Sequence, residues 1–178
     1  SLSLFSSPTT PGQKQQVVVV QPNFDSYQPD GGFASPYQAH DHLLELTDSV
    51  RTDSTQLVVY PENAIQAQIS NLETFSSTSS KTKQLWNQKA RSWQNTVIGG
   101  ATYFQFYDEN GAPPLAIHSD RGPYLYYNSA LGFSPDRSMT TYRKHNLVPI
   151  VERVPFVHFL NAIDVFGLVN WNRNQGYG

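Results

Sequence analysis

The chain has 178 residues, 38% hydrophobic and 13% aromatic, with a formal net charge of -2 at pH 7. That is enough for one domain with a real core, and it excludes a disordered composition. The basic residues form no dense patch for nucleic acid, no run approaches the roughly 18 apolar residues of a membrane span, and zero cysteines exclude disulfides and thiolate metal sites within these residues.

Residues 1–16, "SLSLFSSPTTPGQKQQ", read as a Ser/Thr/Pro/Gly linker without the charged start and apolar run of an intact signal peptide. The only methionine is Met139, so a processed protein or an excised piece is expected. Val17–Val20 is a β-branched run long enough for a strand buried on both faces. Pro22 ends it, and "NFDSYQPDGGFASP" is a loop. "SPYQAHDHLLELTDSVRT" is helical, capped by Ser35 with Pro36 in the first turn and Leu43, Leu46 and Val50 on one face.

"TQLVVYPENA" is a second buried strand, ended by Pro61. "AIQAQISNLETF" shows helical spacing at Ile65, Ile69 and Leu72, followed by a polar break, "SSTSSKT". "KQLWNQKARSWQNT" is a further helix, and "TVIGGATYFQFYDENG" a strand with a hairpin signal at Asn110-Gly111. In "IGGATY" the paired glycines lack the pattern of a phosphate loop and suit a strand where backbone approaches backbone. "PPLAIHSDRGPYLYYNSALGFS" is the returning strand pair, and "FVHFLNAIDVFGLV" a short helix. The order β-α-β-α-α-β-β-loop-α predicts an α/β fold, with sites at the ends of its strands.

Two stretches carry charges in apolar frames. In "VVYPENA", Glu62 follows a strand and Pro61. It is either the first-turn glutamate of the next helix, answering the helix dipole, or a carboxylate held at a strand end for chemistry. In "TYRKHNLVPIVERVPF", Lys144 and Glu152 sit among Val, Ile and Pro. Each is either an ordinary surface charge or a charge held for catalysis. The histidines make a poor metal set: His40 and His42 are two apart on a helix, and His118, His145 and His158 lack partners at ligand spacing. No cofactor motif is present.

The segments "VVVVQPNFD", "LVVYPENAI", "VIGGATYF", "YYNSALGFS" and "YRKHNLVPIVERVPF" occur in the order found in the nitrilase (carbon–nitrogen hydrolase) superfamily. The chain resembles that superfamily, and within it the extracytoplasmic domain of the bacterial apolipoprotein N-acyltransferases. The resemblance implies a four-layer α-β-β-α sandwich, with Val17–Val20 and Leu57–Tyr60 as neighbouring central strands. It also implies a Glu-Lys-Cys triad. The glutamate falls on Glu62, with Tyr60 where the family has tryptophan, and the lysine falls on Lys144. A further glutamate falls on Glu152, with Val151 replacing a glycine of the family's segment.

The family's cysteine lies on a strand beyond the lysine segment, so residues 17–178 are expected to be the larger, N-terminal part of the domain and inactive by themselves. The implied activity is transfer of a fatty acyl group from a phospholipid to the N-terminal cysteine amine of a lipoprotein. It would take place at the outer face of the bacterial cytoplasmic membrane, with flanking membrane helices and no cofactor. A soluble amidase with the same triad, or an inactive binding domain on the same fold, are the other readings.

Overall fold

A computed structural model describes residues 14–25, 28–114 and 116–144. Among these residues the frame is a seven-stranded mixed sheet. Strand β1 (Gln16–Val19) pairs in parallel with β2 (Thr55–Val59), and β2 pairs in parallel with β4 (Thr96–Phe106). Strand β4 pairs antiparallel with β6 (Gly122–Ser134) along a ladder from Val97↔Phe133 to Phe106↔Tyr124. The two-residue β3 (Ile69–Ser70) joins β4 beyond the reach of β2. Strands β5 (Ile117–Ser119) and β7 (Arg137–Arg143) share the far edge of β6.

Among the described residues two α-helices supply the core's other half. Helix α1 (Pro36–Val50) starts as expected: the Ser35 side chain accepts from the Gln38 amide at 3.3 Å, with Pro36 in the first turn. Its buried side is Ala39, His40, Leu43, Leu44 and Thr47, while Val50 is exposed. The apolar stripe is therefore rotated from the expected one. Helix α2 (Ser77–Trp93) begins inside the stretch expected to be a polar break, because Ser76 caps it by accepting from the Ser79 amide at 3.0 Å. It stops at Gln94, whose left-handed backbone (φ 55°) lets its amide bond back to Ala90 and Arg91.

Trp86 is the centre of the core. Its ring lies 5.2 Å from Tyr60, 5.7 Å from His40 and 6.3 Å from Phe133, joining both helices to β2 and β6. Alternation along the strands decides which side chains reach this core. Val97, Ala101 and Tyr103 of β4, and Leu131 and Phe133 of β6, are buried in the core cluster. Their neighbours Ile98, Gly100, Thr102, Asn128, Ala130 and Gly132 face the opposite side and are half-buried.

Three further expectations are corrected. Among the described residues β1 is the last strand on its side of the sheet, not a central one, and it is not buried on both faces: Val18 is buried, but Val17 is 44% and Val19 75% exposed. Its valines alternate because the helix layer covers one face only. Residues 64–70 are not helical. The Ile65 amide donates to Gly100 at 2.9 Å, and Ile69 pairs with Tyr103, so β4's open edge captures the segment while both isoleucines stay buried. Tight turns occur after Ser119, at Asp120 and Arg121, and after Ser134, rather than at Asn110-Gly111, which lies in a 3-10 turn. The described residues supply one sheet and one helix layer of the expected sandwich. The expected helix "FVHFLNAIDVFGLV" and Glu152 lie outside them.

Candidate active site

The site grows from the end of β2. The Tyr60 amide still bonds to Ile98 at 2.8 Å, continuing the strand. The chain then turns: Ala64 donates to the Pro61 carbonyl at 3.3 Å, and Asn63 takes a left-handed conformation (φ 55°) that asparagine tolerates. No helix follows, so Glu62 is not a first-turn glutamate answering a helix dipole. The turn is clamped to β4 on both sides, since Gly100 donates to Pro61 at 3.1 Å and accepts from Ile65.

This clamp is possible because residue 100 is glycine. A Cβ there would lie 2.6 Å from the Glu62 Cα and 2.8 Å from both the Asn63 amide and the Pro61 carbonyl. With no side chain on β4 at this point, Glu62 crosses the strand on the face away from the helices. Its Oε1 accepts from the Nδ2 of Asn128 on β6. Asn128 lies opposite Thr102 in the ladder.

Lys144 adjoins the same asparagine. It directly follows the last residue of β7, and its amide donates to the Asn128 carbonyl at 2.9 Å. It is thus held by the ladder rather than carried on a free loop. Arg143, one residue earlier, turns to the other face: its guanidinium sits 4.3 Å from the Tyr127 ring centroid and donates to Gln105 at 3.0 Å. Alternation then puts Lys144 in register with Asn128 on the Glu62 side. Glu62 is exposed, whereas Asn128 and Lys144 are half-buried.

A cleft of about 930 Å³ opens at the carboxyl ends of β1 and β2, lined by Gln21, Asp25, Asp30, Glu62, Gln66 and Thr102 among others. Glu62 forms part of its wall; Asn128 and Lys144 are not among the lining residues. Behind the site, burial pushes the Tyr60 hydroxyl up to about 12, partly offset by its 2.6 Å hydrogen bond with Thr47. Burial also raises Tyr127, reinforced by its 2.7 Å bond to Tyr107. His40 is buried and His42 packs against Phe24 and Phe33, so the two imidazoles do part. Among the described residues no group of three or more His, Asp or Glu could hold a metal ion.

The residue that sequence reasoning missed is Asn128. The available signal was an amide within the aromatic, otherwise strand-like run "YLYYNSALGF".

A family profile described as "Carbon-nitrogen hydrolase" matches residues 17–163. An apolipoprotein N-acyltransferase of Chlorobaculum tepidum is 26% identical over 174 residues, covering 91% of this chain and 31% of that protein. The chain therefore spans about a third of that relative's length. A carbon-nitrogen hydrolase from Helicobacter pylori G27 is 19% identical with a TM-score of 0.49, over 75% of this chain and 40% of that one. A CN-hydrolase superfamily protein from Xanthomonas campestris is 16% identical with a TM-score of 0.41, over 65% and 37% of the two chains. Among the described residues no helix is long and apolar enough to cross a membrane.

Proposed function

Because the chain belongs to the carbon–nitrogen hydrolase family, we propose that it forms part of an apolipoprotein N-acyltransferase, moving a fatty acyl group from a phospholipid to the N-terminal cysteine amine of a lipoprotein. The reading is supported by the similarity to the Chlorobaculum protein. The observation that carries it is that Asn128 on β6 meets both, its side chain donating to Glu62 in the turn after β2 and its carbonyl accepting from the amide of Lys144 just past β7.

The nucleophile of this reading is a cysteine thiol, which the 178 residues do not contain. In the complete protein Glu62 takes the thiol proton as general base. The thiolate attacks the ester carbonyl of the phospholipid, and the Lys144 ammonium stabilises the oxyanion. The ester C–O bond breaks, the proton passes to the departing alkoxide, and a thioester and a lysophospholipid result. The lipoprotein amine then attacks the thioester, losing a proton to Glu62; an amide forms and the thiolate is released. Glu152 would orient Lys144 or brace its loop.

The test uses protein expressed from the complete reading frame, with vesicles carrying a labelled acyl phospholipid and a lipopeptide ending in an S-diacylglyceryl cysteine. Label should move to the lipopeptide amine, and Glu62→Gln or Lys144→Ala should reduce the rate by about 100-fold or more. Hydrolysis of small amides without transfer would replace this reading with a soluble-type amidase. Binding without turnover would replace it with an inactive binding domain.

A further inference from the structure

We propose that Asn128 is a positioning residue that fixes both members of the reacting pair, the Glu62 carboxylate through its side chain and the Lys144 segment through its backbone. The proposal rests on the reading of Glu62 and Lys144 given above.

The two contacts come from different parts of one residue. Nδ2 of Asn128 donates to Oε1 of Glu62, and its carbonyl accepts from the Lys144 amide at 2.9 Å. The spacing of the pair is therefore referred to a single Cα on β6, which is held on its other edge by the β4 ladder. The next residues outward are held from the opposite face, where Arg143 stacks on Tyr127. Asn128 and Lys144 on one side, and Tyr127 and Arg143 on the other, form back-to-back pairs across β6 and β7.

The choice of an amide has a chemical consequence. A primary amide donates to a carboxylate oxygen without exchanging a proton with it, so it cannot compete for the proton that the base must carry. With Oε1 already accepting from Nδ2, Oε2 is the more basic oxygen, so Asn128 favours Oε2 as the one that takes the nucleophile's proton. An aspartate at this position would instead place acceptor against acceptor unless one carboxyl were protonated.

The experiment compares Asn128→Ala and Asn128→Asp with wild type in the complete protein, measuring kcat and KM for acyl transfer across pH together with thermal melting. Asn128→Ala should lower kcat by about 10- to 100-fold, the scale of lost support to a catalytic group, with KM within about twofold and melting unchanged. Asn128→Asp should lower kcat further at neutral pH and recover as pH falls, because the introduced carboxyl donates only when protonated. A kcat for Asn128→Ala within about twofold of wild type overturns the proposal, as does a loss in KM alone. Should Asn128→Ala fail to fold, the near-isosteric Asn128→Asp decides: no recovery on acidification overturns it. Glu62→Gln separates the two levels. If that variant is inactive while Asn128→Ala is active, only the positioning role falls; if Glu62→Gln is fully active, the reading of the site falls first.

Discussion

Gly100 lies under the Glu62 backbone so closely that a methyl group on it would stand 2.6 Å from the Glu62 Cα. Nothing flexible separates them, since the other near atoms are the Asn63 amide and the Pro61 carbonyl. Gly100→Ala should therefore destabilise by about 1–3 kcal/mol and move Glu62 off Asn128. Denaturant melts paired with acyl-transfer rates check this. Wild-type values in both would mean that the 61–64 turn yields freely.

Lys83 pins the segment that leaves this turn. Its Nζ donates to the Ser70 carbonyl at 3.3 Å and to Glu73 at 3.0 Å, and its side chain is only 11% exposed against 83% for Glu73. The two ends of the ion pair should then differ. Lys83→Met should cost about 1–3 kcal/mol by removing a donor inside the fold, whereas Glu73→Gln should cost roughly 0–1 kcal/mol. Equal costs in chemical denaturation would contradict this assignment.

Trp86→Ala should be among the most damaging single changes in the helix layer. The ring is fully buried between Tyr60, His40 and Phe133. Its loss should cost about 3–5 kcal/mol, read from the denaturation midpoint, with Trp86→Phe much milder.

His40 should make the fold sensitive to acid. Burial holds its imidazole down from 6.5 to about 4, opposed by Asp41, and neither ring nitrogen has a hydrogen-bond partner among the described residues. As pH falls below 6.5 the unfolded chain takes up a proton that the folded chain refuses until about 4. Stability contributed at neutral pH is thus lost through that window, by roughly 3 kcal/mol. Below it both states are protonated and the slope flattens. Melts from pH 7 to 4 should show His40→Leu losing less stability than wild type; parallel curves would refute the effect.

How much of this was legible in the sequence depends on what each residue had to reveal. Ser35 and Pro36 announced α1 because a cap is a local device. Val17–Val20 announced a strand but not its place at the end of the described sheet, because β-branched runs report strand preference and not which neighbours cover them. Ile65 and Ile69 misled for a related reason. Spacing by four is compatible with a helix, yet the open edge of β4, more than thirty residues later, offered hydrogen bonds that no local pattern displays. Glu62 and Lys144 were singled out by their apolar frames and by family resemblance. That one residue of β6 bonds to both was not readable, because Asn128 meets Glu62 across 66 residues of chain through the β4–β6 register.

That register makes assembly of the candidate site a question of parity. The β4–β6 ladder runs without a break from Val97↔Phe133 to Phe106↔Tyr124. A slip of one residue would turn Asn128 toward the helices and present Tyr127 or Ser129 to Glu62, neither offering a carboxamide. No intermediate alignment half-forms the contact, since a strand side chain faces one side or the other. The Glu62–Asn128 bond is thus an all-or-none reporter of correct strand pairing, and chains trapped in a shifted register would be folded in outline yet silent in chemistry.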